Sequence, residues 1–218
     1  MNDALTASFF MFPEEKEGKL MKNKKTLILV ESAIFLGLAI ALSFVKIIKM
    51  PWGGSVTLLS MLPVALISIR HGVKWGLPVA FLYSAVHFFT DLGEVMTWSL
   101  TPAVFTGMIF LDYLAAFSVL GLAGVFRRKG FEGQCLGVAL AVTLRFASHF
   151  LSGIILWGEF AAYYDWSQGS VPLYSLIYNG AYMFPEIIFT TIGAVVLLKA
   201  PYVRKLFTVS LPSPNSAE

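Results

Sequence analysis

RFASHFLSGIILWGEFAAYYDWSQGSVPLYSLIYNGAYMFPE, residues 145–186, is the stretch whose reading decides the architecture. Two apolar runs flank a loop, and each is long enough to enter a bilayer, yet between them they carry His149, Trp157, Tyr174, Asn179, Tyr182 and Glu186. Hydrocarbon expels such groups unless they face a cavity or a protein neighbour, so the hairpin reads as one wall of an intramembrane pocket.

Outside the hairpin the composition agrees. The chain is 57% apolar and 13% charged, with a mean hydropathy of +0.74; roughly a quarter of residues are charged in an ordinary soluble domain. The expected class is an all-α integral membrane protein. Apolar runs recur from about Thr26 to Leu198 and leave no polar stretch that could house a soluble module. The single cysteine, Cys135, excludes an internal disulfide framework and a cysteine-based zinc site. Residues 1–20 do not follow the order of a secretory signal, and a basic flank, MKNKK, opens at Met21. The expected division is an N-terminal extension (1–21), either dispensable or an ordinary cytoplasmic tail, a membrane domain (22–205) and a polar tail (206–218).

Working outward from the hairpin, the hydropathy pattern predicts six transmembrane helices, over about 26–45, 56–70, 75–91, 104–126, 134–157 and 172–198. The second and third are short and contain Pro63 and Pro78, so a kink or break is expected in each. With a cytoplasmic N-terminus, the inner segments hold Lys22, Lys24, Lys25, Arg70, Lys74, Arg127, Arg128, Lys129, Lys199, Arg204 and Lys205. Only Lys46 and Lys49 fall in outer loops, which is the positive-inside pattern for a multi-pass protein of the cell membrane with both termini cytoplasmic.

Beyond the hairpin, Asp112 and Tyr113 lie about two turns inside the fourth span. A carboxylate at that depth must pair, protonate or face a cavity, and Arg145 is the expected partner if its role is only structural. Arg145 and His149 share a helical face, with Trp157 two turns on. Tyr174 and Asn179, five residues apart, line one pocket only if the chain at Tyr174 is not yet helical or the pocket wraps around the helix end. Glu186 either lines the floor or stabilises the Pro185 kink. Trp52, beside Gly53 and Gly54 in the first outer loop, is either a lid aromatic or an interface tryptophan. His87 is expected to be a packing residue. Ala33, Gly37 and Ala41 recur every fourth residue on the first helix, a face suited either to a partner helix or to packing within the bundle. A dry pocket of aromatic faces, amide, imidazole and carboxylate suits a small aromatic cation with heterocyclic nitrogens.

RFASHFLSGIILWGEFA and YSLIYNGAYMFPE, with MPWGGSVTLLSMLPV and LDYLAAFSVLGLAG upstream, resemble the thiamine-specific S components of the energy-coupling-factor (ECF) vitamin transporters. The likeness covers about residues 25–200. It implies a six-helix S-component fold that captures thiamine (vitamin B1) from outside. It also implies a membrane coupling protein and two cytoplasmic ATPase subunits as partners, docked on the face of Ala33, Gly37 and Ala41. The ligand contacts implied are Trp52, Asp112, Tyr113, His149, Trp157, Tyr174 and Asn179. Trp157 and His149 would flank the thiazolium, Asp112 would offset its charge, and Tyr174 and Asn179 would bond the aminopyrimidine. The acidic position can be Glu in the family, so Asp112 is the shorter of the two forms.

No cofactor is expected, since thiamine would be cargo and ATP would act only through the partners. HExxH, GxSxG and GxxxxGK[ST] are all absent, which argues against an enzyme and against intrinsic ATP hydrolysis. No nucleic-acid partner is expected either. The alternatives are an S component for a related heterocyclic vitamin or pyrimidine precursor, and a stand-alone secondary transporter; no internal repeat supports the latter.

Overall fold

The computed structural model describes residues 24–51 and 53–209. The expected extension, Trp52 and residues 210–218 of the tail lie outside the described residues. The chain divides into two compact units, one ending at Ile34 and one opening at Phe35. The fold is mostly helical. Helix α1 is Lys24–Ser43, strands β1 (Lys46–Lys49) and β2 (Ser55–Thr57) form an antiparallel hairpin, and α2 and α3 are Leu62–His71 and Val73–Val95. Helix α4 covers residues 102–124, α5 is Gly130–Ile155, α6 is Val171–Lys199, and α7, Pro201–Val209, crosses the expected start of the tail. Among the described residues, Lys25–Ser43, Pro102–Ile155 and Val171–Lys199 are long and apolar enough to cross a membrane. The second of these includes the reversal between α4 and α5 at residues 125–126.

The second expected span is not one helix. It opens in the extended leg Ser55–Thr57, and helix begins only at Leu62. Pro63 stands in the first turn of α2, where the missing N–H costs nothing, so it starts the helix rather than breaking it. From Leu62 through Ile69 every side chain is buried, as expected of a helix apolar on all sides that packs among α3, α4 and α5. Gly72, with φ of 92°, makes the corner between α2 and α3. Pro78 and Pro185 lie inside α3 and α6, which continue helical through both.

Helix α4 changes its winding along its length. Thr101 caps it by accepting the Val104 N–H at 3.3 Å. Regular α-helix over Pro102–Met108 gives way to a wide π turn over Ile109–Ala115 and ends as tight 3-10 helix over Val119–Gly124. Such wide turns inside helices recur at functional sites; this one carries Asp112 and Tyr113. Helices α5 and α6 meet closely at Gly153, where an added Cβ would collide with Ser175 and Asn179. The loop between them is two short 3-10 turns, Gly158–Tyr163 and Asp165–Ser167, tied by Ser167 Oγ to the Tyr164 carbonyl at 2.7 Å.

Candidate ligand-binding site

A cavity of about 270 Å³ lies among the β hairpin, α3, α4, α5 and α6. That is close to the ~300 Å³ lower end of small-molecule sites. Its organising group is the Asp112 carboxylate. Oδ1 lies 3.0 Å from His149 Nδ1, while Oδ2 accepts from Ser152 Oγ at 2.7 Å and from Trp157 Nε1 at 3.0 Å. Against an ionised carboxylate, which only accepts, a neutral His149 carries its proton on Nδ1 and leaves Nε2 bare. That Nε2 is buried and has no partner among the described residues. The shorter acidic side chain therefore does reach its neighbours, and Asp112 and Tyr113, both carried on the π turn, line the cavity.

Above this cluster the walls are aromatic. Trp157 meets Trp98 edge to face at 6.0 Å, and Tyr174 stacks against Tyr164 and Trp166 with centroids 5.8 and 6.0 Å away. Tyr174 lies inside helix α6, which already begins at Val171, so the cavity takes in a broad arc of α6 that includes both Tyr174 and Asn179. Asn179 is largely occupied. Its Nδ2 donates to the carbonyls of His149 (3.2 Å) and Ser175 (3.0 Å), and its Oδ1 accepts from Tyr182 Oη at 2.8 Å. It ties α6 to α5 as well as lining the cavity. Tyr113 donates to Asp91 Oδ2 at 3.4 Å.

Arg145 does not pair with Asp112. Its guanidinium lies 4.1 Å from the centre of the Phe117 ring, and Nη1 approaches Met61 Sδ at 2.8 Å. His87 stacks on Phe117 at 4.4 Å, the packing role expected of it. Glu186 fastens the hairpin: its Oε1 accepts from the Thr57 N–H at 2.6 Å and from Thr57 Oγ1 at 2.7 Å. Extended backbone at membrane depth is tolerable only where its polar groups find such partners. Gly53 and Gly54 both have positive φ, and Gly54 packs on the Tyr182 ring so tightly that a Cβ would stand 2.6 Å from it. On the opposite edge, Lys49 pairs with Glu94 at 2.8 Å and Lys46 with Asp91 at 3.9 Å, joining β1 to the end of α3.

The structure thus gathers Asp112, Tyr113, His149, Trp157, Tyr174 and Asn179 around one cavity. It adds Trp98 and Arg145 to the lining and Ser152 as a donor to Asp112, none of which the sequence reading placed in the site, and Glu186, for which the cavity floor was one of two readings, lines the cavity. Ser152 lies three residues past His149 on the same face of α5 and was open to detection by that spacing. By formal charge the lining holds four carboxylates, Asp91, Glu94, Asp112 and Glu186, against three cations, Lys46, Lys49 and Arg145, an acidic excess that suits a cationic guest. Ala33, Gly37 and Ala41 are all exposed, and a Cβ on Gly37 would meet nothing within 4 Å.

The chain is similar over most of its length to known proteins. The thiamine transporter ThiT of Bacillus subtilis (strain 168) is 34% identical over 200 residues, covering 84% of this chain and 97% of that protein. The thiamine transporter ThiT of Lacticaseibacillus paracasei is 23% identical over 202 residues, 84% of this chain and 92% of its own length. The solved structure of ThiT from Listeria monocytogenes superposes with a TM-score of 0.65 at 27% identity, covering 85% of this chain and 99% of that one. Residues 29–205 match the family model described as thiamine transporter protein (Thia_YuaJ), and on that match the chain belongs to the thiamine transporter family, transport proteins rather than enzymes.

Proposed function

We propose that this chain is the thiamine-capturing S component of an ECF-type importer, a six-helix protein of the cell membrane with both termini cytoplasmic. The observation that carries the reading is the Asp112 carboxylate, held by His149, Ser152 and Trp157 at the wall of an aromatic cavity in a chain of this family. Thiamine joins a cationic thiazolium to an aminopyrimidine and carries a hydroxyethyl arm. The thiazolium sits against Trp157 and His149, where the ring faces and the Asp112 charge favour a cation and the neutral imidazole does not oppose it. Tyr113, Tyr174 and Asn179 orient the rest of the ligand.

Energy comes from partners. The exposed stripe of Ala33, Gly37 and Ala41 is open to a membrane coupling protein, which in turn carries two cytoplasmic ATPases. Uptake of labelled thiamine by cells expressing the chain with and without a coupling module tests this. Uptake that needs the module supports the reading, and equal uptake without it establishes a self-sufficient transporter instead.

A further inference from the structure

Helix α7 lies at the end of the bundle where the basic residues gather. It starts at Pro201, just past the membrane-crossing helix α6, and near its other end the Leu206 carbonyl accepts from Arg70 Nη1, in the last turn of α2, at 3.1 Å. The Arg70 guanidinium also stands 6.0 Å from the centre of the Phe207 ring. Helix α6, 29 residues long, rises about 43 Å, the thickness of a bilayer with its headgroups, so a helix tied from its end to the end of α2 runs along the membrane surface. The side chains of α7 sort by face. Val203 and Phe207, four apart, pack on the core, while Tyr202 and Leu206, four apart on the neighbouring face, are 76% and 40% exposed. Arg204 and Lys205 are exposed on the remaining arc. The surroundings add charge of the same sign. Arg127 Nη1 donates to the Arg70 carbonyl at 3.1 Å, Lys199 stands 5.9 Å from the Phe131 ring, and Lys74, Arg128 and Lys129 are exposed beside them. Glu132 is the one acid in segments 70–75, 125–133 and 199–207.

We propose that α7 is an interfacial helix that holds an anionic phospholipid of the adjoining leaflet. Tyr202 and Leu206 sit among the glycerol and first acyl carbons, and Arg204 and Lys205 take the headgroup phosphate. A pair of apolar side chains is too small a face for a stable protein interface, which buries about 800 Å² on each partner, whereas charge of one sign beside a bilayer suits an anionic lipid. In the orientation proposed above that leaflet is the cytoplasmic one. The inference needs only the membrane and is independent of the cargo.

Full-length protein in neutral detergent is titrated with short-chain phosphatidylglycerol, with phosphatidylcholine of the same chain length and with inorganic phosphate, and the unfolding temperature is followed. Phosphatidylglycerol alone is expected to raise it, saturably. The double variant Arg204→Gln, Lys205→Gln is expected to unfold at the wild-type temperature without lipid and to need about thirtyfold more phosphatidylglycerol for the same rise. Equal stabilisation by phosphatidylcholine or by inorganic phosphate overturns the proposal, as does an unchanged phosphatidylglycerol titration in the double variant. A double variant with the wild-type lipid response but no coupled uptake makes this face a contact for a protein partner, which also overturns it. Should the double variant fail to fold, Tyr202→Ser takes its place: a weakened response to phosphatidylglycerol is expected, and an unchanged one overturns the proposal. Thiamine titrated into the same preparations reports separately on the thiamine reading.

Discussion

Replacing Asp112 by Asn tests whether its charge, rather than its hydrogen bonds, organises the site. The carboxylate accepts three bonds of 2.7–3.0 Å, and an amide has one oxygen with which to keep them. The least costly arrangement leaves the amide oxygen toward Ser152 and Trp157 and turns NH₂ toward His149 Nδ1. The imidazole then moves its proton to Nε2, so the cavity gains a donor where it had a bare acceptor. Folding should change by less than about 2 kcal/mol, because every bond survives in neutral form and the buried charge is gone. Binding loses more. A unit charge about 5 Å from a cation in a medium of effective dielectric about 20 contributes roughly 3 kcal/mol, so the dissociation constant for thiamine should rise about 100-fold. Calorimetric titration and thermal unfolding on the same preparation measure both quantities. Asp112→Asn that binds thiamine within about threefold of wild type refutes the reasoning.

Three further changes probe the rest of the account. Gly37→Trp projects into open space and should leave thiamine binding by the purified chain intact while abolishing coupled uptake; loss of both defeats the docking role. Asn179→Ala breaks the tie between α5 and α6 as well as a cavity wall, so affinity should fall about tenfold and the unfolding temperature should drop with it. An unchanged unfolding temperature would remove the structural half of that role. Gly54→Ala forces a side chain into positive φ and onto Tyr182; it should destabilise the hairpin and raise the thiamine dissociation rate, and an unaltered rate would show that the hairpin does not retain the ligand.

Much of the site could be read from polar groups out of place in apolar runs. His149, Trp157 and Asp112 stood out because hydrocarbon does not tolerate them alone, and they converge in the structure. The second crossing was misread for a physical reason. A short apolar run has the same composition whether it is an extended leg or a helix, and Ser55–Thr57 is held extended by Glu186, 129 residues away in sequence. The π turn at Asp112 and the saturation of Asn179 are likewise tertiary facts. A regular helical wheel had left Tyr174 and Asn179 in awkward opposition; a cavity that embraces a broad arc of α6 resolves it. The structural alternative for Asp112, a pair with Arg145, rested on that being the only opposite charge within a span, whereas the folded chain offers Asp112 three closer donors and Arg145 the Phe117 ring.

Calorimetric titration of the purified chain with thiamine, beside riboflavin and biotin, tests the central claim most directly. The account predicts saturable binding of one thiamine per chain and no heat of binding from the other two vitamins. Binding of riboflavin or biotin in place of thiamine, or no binding of thiamine to folded protein, would contradict it.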